Sequence, residues 1–197
     1  MYYRKDYRYQ DADFSGKYDE KMTKARDWLR DWKDKHNNLF ICGGVGCGKT
    51  YLAMAFLNEL AKSSEYIQGD GRCEPFWCLD DVEYVVAKGL FDTIRKQFSK
   101  DIAVSSSAKN DVFIYTKTKL LIIDELGLGY GTDSELIELT DLLDARWKSG
   151  LPTVFLSNLD MKGLANYLGD RCRQRAFDGA QYVELDGKTR RSKPVEL

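Results

Sequence analysis

The chain has 197 residues, 43% of them hydrophobic, enough for one ordinary α/β domain with a real core and little room for a second. Thirty lysines and arginines stand against 31 aspartates and glutamates, a net charge of −1, so no global basic field announces a nucleic acid and any such contact must be local. No apolar run approaches the roughly 20 residues of a membrane span, and the polar start carries no secretory segment.

Residues 1–15, rich in Tyr, Arg and Asp, read as an irregular arm. A helix is expected over residues 18–35, where Met22, Ala25, Leu29 and Trp32 share a face, and Asn37-Asn38 breaks it. The lone His36 falls in that Lys/Asn turn and reads as solvated. Leu39-Phe40-Ile41-Cys42 suits a buried parallel strand entering a glycine loop, with a helix following to about Ala61. A second strand is expected at residues 76–79. Asp80 or Asp81 would cap the next helix, which runs towards Phe98 with a break near Gly89. Residues 99–111 read as a polar, serine-rich loop. Leu120-Leu121-Ile122-Ile123 is the clearest strand. Thr132 and Glu135 have capping-box spacing for a helix that buries Leu136, Leu139, Leu143 and Trp147 and ends at Gly150. Strands at residues 153–157 and 182–185 complete an alternation that implies a parallel sheet covered on both faces. The five cysteines, Cys42, Cys47, Cys73, Cys78 and Cys172, are odd in number with no metal-site spacing, and read as reduced thiols of a cytoplasmic protein.

Gly43-Gly44-Val45-Gly46-Cys47-Gly48-Lys49-Thr50 matches G-x-x-x-x-G-K-[ST] at every fixed position, after a strand and before a helix. Glycines let backbone N–H groups wrap phosphates, Lys49 can reach the β/γ-phosphates, and the Thr50 hydroxyl can coordinate Mg²⁺. With the following Tyr51 these residues form the candidate ATP-binding set. Asp124-Glu125 closes the clearest strand: Asp124 would hold Mg²⁺ through its water shell and Glu125 would polarise the attacking water. An acidic pair that merely caps a strand is the competing account. Asn158, after the strand at 153–157, is placed to sit between a γ-phosphate and Glu125, or else simply caps a turn.

Taken in order, the P-loop, Asp124-Glu125, Ser157-Asn158 and the cluster Arg171, Arg173 and Arg175 resemble the DnaC/DnaI-like helicase-loader family of AAA+ proteins and the related IstB transposition ATPases. Arg8-Tyr9-Gln10-Asp11-Ala12-Asp13-Phe14 is similar to that family's segment past the adenine. The resemblance implies a three-layer α/β P-loop NTPase of the AAA+/ASCE type, with a parallel five-stranded sheet in order 5-1-4-3-2 and little or no lid. It divides the chain into an arm (1–15), an ATPase domain (16–191) and a tail (192–197). It makes Arg175 the finger given to a neighbour's nucleotide, with Arg171 as runner-up, and Arg190 the second sensor. By the residues alone the arginine cluster is equally a solvated helical face. The resemblance also implies a single-stranded DNA contact through Arg95, Phe98 and Thr132. The competing account puts Phe98 in the core and Arg95 on the surface. Only about eight residues precede the resemblance, where loaders carry a helicase-gripping module, so a nearly bare ATPase domain is expected.

Three functions follow: a helicase loader that assembles head to tail on single-stranded DNA, an IstB-like ATPase on duplex DNA, and a non-hydrolysing ATP-dependent adaptor that binds a replication protein. None involves a membrane.

Overall fold

A computed structural model describes residues 9–67, 81–128 and 132–185. Five parallel strands, β1 (Leu39–Cys42), β2 (Val82–Val86), β3 (Leu120–Leu126), β4 (Thr153–Ser157) and β5 (Gln181–Glu184), form one sheet in the order β2-β3-β4-β1-β5. Read from the other edge this is the expected 5-1-4-3-2. Successive strand residues face opposite sides of a sheet. Leu39, Ile41, Leu120, Ile122, Val154 and Leu156 therefore pack under α1 (Glu20–Arg30) and α2 (Lys49–Ile67). Phe40, Cys42, Leu121, Ile123 and Phe155 pack under α3 (Ala87–Lys96), α5 (Asp133–Lys148) and α6 (Met161–Phe177). Among the described residues no helix follows β5 and none is long and apolar enough to cross a membrane.

Local signals act as expected in most elements. Asp19 caps α1 by accepting from the Met22 amide at 2.8 Å, and a short 3-10 turn at Trp32–Asp34 finishes the segment. Gly150 takes φ 65°, the left-handed conformation that ends α5. His36 is exposed, with Nδ1 3.2 Å from the Gly150 carbonyl oxygen.

One expectation falls outside the described residues and three are corrected. Residues 76–79, with Cys73, Cys78 and Asp80, lie outside the described residues, and the strand beside β3 is Val82–Val86, whose apolar run is interrupted by Glu83 and Tyr84. Asp81 caps no helix: its backbone carbonyl accepts from Leu120 N and Thr118 Oγ1, and α3 begins after β2 and runs unbroken through Gly89. Most of the supposed loop at 99–111 belongs to a helix, α4 (Ile102–Lys117), capped by Asp101, which accepts from the Ala103 and Val104 amides. Only Ser105 and Ala108 of α4 are buried, with Val112 and Tyr115 half-buried against the core, so the stripe in the sequence is short and mixed with polar residues. Trp147 is 42% exposed instead of joining the core: it lies on the outer side of α5, where Arg175 stacks over its ring and Asp178 accepts from its indole N–H.

Candidate nucleotide site

The glycine loop spans from the end of β1 to the start of α2. Gly43 has φ 145°, and a Cβ there would lie 2.7 Å from the Leu185 carbonyl oxygen and 3.0 Å from Cys47 Sγ. Gly46 and Gly48 also have positive φ, which bends the chain into a hollow that no other residue takes without strain. Cys47 faces the core, fully buried, while Val45 forms the exposed tip. Lys49 is 7% exposed, and its ammonium donates to the Gly43 carbonyl at 2.7 Å, the Gly44 carbonyl at 3.0 Å and Asn158 Oδ1 at 2.8 Å. A buried cation satisfied by neutral groups, these oxygens and Cys47 Sγ at 3.6 Å, at a helix N-terminus, is a site suited to an anion.

Asp124 is 2% exposed at the end of β3. Its Oδ2 accepts from Thr50 Oγ1 at 2.9 Å and from the Tyr84 hydroxyl at 2.7 Å, and its Oδ1 accepts from the Glu125 amide at 2.7 Å. The pairing of β3 with β4 shifts register between Ile123 and Leu126, and Glu125 takes φ 58° in that irregularity. The shift turns Glu125 out into the cleft while Asp124 and Leu126 stay buried. Gly127, at φ 94°, leaves room for Leu159, which a Cβ would strike. Ser157 braces the same corner, donating to the Leu126 carbonyl at 2.6 Å and accepting from the Leu159 amide at 3.0 Å. Burial, then the charge of Asp124, pushes the Tyr84 phenol above its ordinary pKa, so it remains a donor.

Gly46, Gly48, Lys49, Thr50, Asp124, Glu125 and Asn158 open onto one cleft of about 580 Å³. Its other wall is the end of the segment read from sequence as an irregular arm, Tyr9 and Asp13, and the residues after it, Gly16, Lys17 and Tyr18, with Tyr51 and Met22. Asn58 on α2 donates to the Tyr9 and Ala12 carbonyls at 2.8 and 3.3 Å. Phe14 packs on Phe56 with ring centroids 5.6 Å apart, and the Asp13 amide donates to Tyr51 Oη at 3.2 Å. Tyr9 and Asp13 belong to the segment that the resemblance sets past the adenine, whereas Tyr84 and Tyr18 were not singled out from the sequence. The polar interruption of β2 and the buried Ala12 and Phe14 are the signals that mark them.

Hard oxygen donors from Thr50 and Asp124 suit Mg²⁺, and the Lys49 hollow suits phosphate. The remaining predicted residues are spread wider. Arg175 on α6 pairs with Asp144 (Nε to Oδ1, 2.6 Å) and stacks over Trp147, 4.6 Å from the ring centroid. Lys148, then Arg175, holds the Asp144 carboxyl below its ordinary pKa. Arg171 is exposed just past Gly169, whose φ of 65° kinks α6, and Arg173 pairs with Asp170. Arg190 and Arg8 lie outside the described residues. Arg95 pairs with Asp92 on α3, Phe98 follows that helix and is 71% exposed, and Thr132 is exposed at the start of α5. The placement of Phe98 in the core is thereby excluded. Cys42, Cys47 and Cys172 are free and buried, and burial pushes the Cys42 and Cys172 thiols up to about 12 and about 11.

A three-layer sandwich with strand order β2-β3-β4-β1-β5 and a glycine loop between β1 and α2 defines a P-loop protein of the AAA+ fold. The chain is similar to the replicative helicase loader DnaC of Escherichia coli strain K12, with 23% identity over 154 residues, 78% of this chain. It spans 56% of that relative's length. No family model matches the chain. Among solved structures it shares its fold with DnaI, at a TM-score of 0.67 and 23% identity, covering 90% of this chain and 93% of that one. A replication initiator DnaA bound to AMPPCP and single-stranded DNA gives a TM-score of 0.66 at 20% identity, covering 93% of this chain and 52% of that one. The resemblance to DnaC/DnaI-like AAA+ proteins carried by the motifs is thus met again, in sequence by DnaC and in fold by DnaI.

Proposed function

We propose that this chain binds and hydrolyses Mg·ATP and acts in DNA replication as a cytoplasmic helicase loader that assembles head to tail on single-stranded DNA. The observation that carries the reading is the convergence of Lys49, Thr50, Asp124, Glu125 and Asn158, from α2, β3 and the end of β4, on one cleft. The loop residues Gly43 to Thr50 and Tyr51 would hold the nucleotide, and Thr50 and Asp124 would hold the metal. When bound, Mg²⁺ neutralises charge on phosphate oxygens. Lys49 supplies a fixed positive charge to the phosphates. Glu125, the exposed carboxylate of the pair, takes a proton from a water on its side-chain oxygen. Asn158, already hydrogen-bonded to Lys49, orients that water or the phosphate it attacks. The wall from Tyr9 to Tyr18 screens the cleft from solvent on the base side.

The name of the DnaC relative supports a loader, and the DnaA structure's AMPPCP and single-stranded DNA support the nucleotide and the strand preference. By the same reading Arg175 acts on a neighbouring subunit, Arg190 on its own nucleotide, and Arg95, Phe98 and Thr132 touch DNA. The partner is a replicative helicase or another replication protein.

The test is ATP turnover with single-stranded DNA, duplex DNA and neither. Turnover raised by single strands, abolished in Glu125→Gln with nucleotide binding kept, supports the loader reading. Stimulation by duplex alone favours an IstB-like role. Nucleotide binding with no turnover under any condition favours an adaptor.

A further inference from the structure

Tyr84 lies on β2, the strand beside β3, with its Cα in register with Ile122 and two residues before the position opposite Asp124. Its ring packs against the core under α1 and α2, and its hydroxyl reaches Asp124 Oδ2 at 2.7 Å. Three elements therefore hold one carboxylate: α2 through Thr50, β2 through Tyr84 and β3 through the Glu125 amide. A carboxylate oxygen offers two lone-pair sites. Both sites on Oδ2 are taken, by Thr50 and Tyr84. Oδ1 has accepted one donor and keeps one site open. With Asp124 almost wholly buried, side-chain rotation is blocked from both edges at once.

We infer that Tyr84 is a positioning residue: it orients the Asp124 carboxylate so that the open site on Oδ1 is presented for a metal-bound water. The inference rests on the nucleotide-site reading above. A half-buried tyrosine hydroxyl usually finds a partner for stability alone, so a purely structural role is the rival. The two differ in what they move. A structural hydroxyl contributes to folding. A positioning hydroxyl contributes to the metal dependence of nucleotide binding, as outer-shell partners of metal ligands do.

Tyr84→Phe keeps the ring and removes only the donor. Binding of a fluorescent ATP analogue is titrated with Mg²⁺ for the full chain and the variant, and again in EDTA, with melting temperature recorded. The expected result is a metal-free affinity within about twofold of the parent and a Mg²⁺ requirement raised about tenfold. In Asp124→Asn, adding Tyr84→Phe should change the Mg²⁺ requirement no further. A Tyr84→Phe protein whose Mg²⁺ requirement is unchanged or lower overturns the inference. So does one that has lost metal-free affinity by the same factor or no longer folds, since Tyr84 is then structural. A parent chain that binds no nucleotide in either condition overturns the nucleotide-site reading itself, a failure visible before any variant is made.

Discussion

The ammonium of Lys49 and the side-chain oxygen of Asn158, 109 positions apart in the chain, are hydrogen-bonded at 2.8 Å. The contact joins the start of α2 to the end of β4 across the sheet. It ties the cation meant for phosphate to the polar group meant for the reacting end of the nucleotide. The two residues should fail differently. Lys49→Ala removes the buried cation and should abolish nucleotide binding. Asn158→Ala leaves Lys49 its two loop carbonyls, so binding should persist while turnover falls about a hundredfold. Calorimetric titration beside a turnover assay reads both. Equal loss of binding in the two variants would make Asn158 part of the phosphate cradle only.

Glu125 carries backbone strain as well as a carboxylate. A non-glycine residue at φ 58° costs about 1–2 kcal/mol. Glu125→Gly relieves that strain and removes the candidate base. The expected protein melts no lower than the parent and turns over no ATP. A clear fall in melting temperature would show that the Glu125 side chain contributes more to folding than its backbone costs.

Arg175 is held within its own chain by Asp144 and Trp147. A role in trans requires those contacts to be exchanged for a neighbour's nucleotide. A head-to-tail interface builds rings or filaments, so each site would combine two subunits. Arg175→Ala and Lys49→Ala, each inactive alone, should recover part of the turnover when mixed, at junctions that unite an intact loop with an intact arginine. If no ratio of the two recovers turnover, and Arg175→Ala merely melts lower at full activity, the arginine is a surface brace for α5 and α6.

Phe98 stands exposed past the end of α3, so truncating it should cost little stability, within about 0.5 kcal/mol. Phe98→Ala should weaken single-stranded DNA binding in the presence of ATP by the loss of one stacked base, about 1–3 kcal/mol, with the salt dependence kept. Arg95→Ala should instead flatten that dependence, by about 0.7 in the log–log slope for one phosphate. Fluorescence anisotropy at several salt concentrations separates the two. Unchanged DNA binding by both folded variants would remove this surface from the interface.

Sequence alone determined the parts that depend on local chemistry and order along the chain. The glycine spacing from Gly43 to Thr50, the apolar run ending in Asp124-Glu125 and the alternation of strands with helices specify a loop, a carboxylate and a parallel sheet. Each is set by backbone conformation and burial within a few residues. What lay beyond it had only faint local signatures. α4 shows only a short, mixed stripe, because it buries just Ser105 and Ala108 and half-buries Val112 and Tyr115. The wall from Tyr9 to Tyr18 looks like a loose arm until Asn58, Tyr51 and Phe56 on α2 accept it. Tyr84 reads as one more strand residue until β2 is laid beside β3 and its hydroxyl meets Asp124. The bond from Lys49 to Asn158 exists only because β1 and β4 are neighbours in the sheet. Strand order, which the resemblance implied but no residue spacing encodes, brings residues a hundred positions apart within hydrogen-bond reach, and the side-chain contacts it creates are decided only in the tertiary structure.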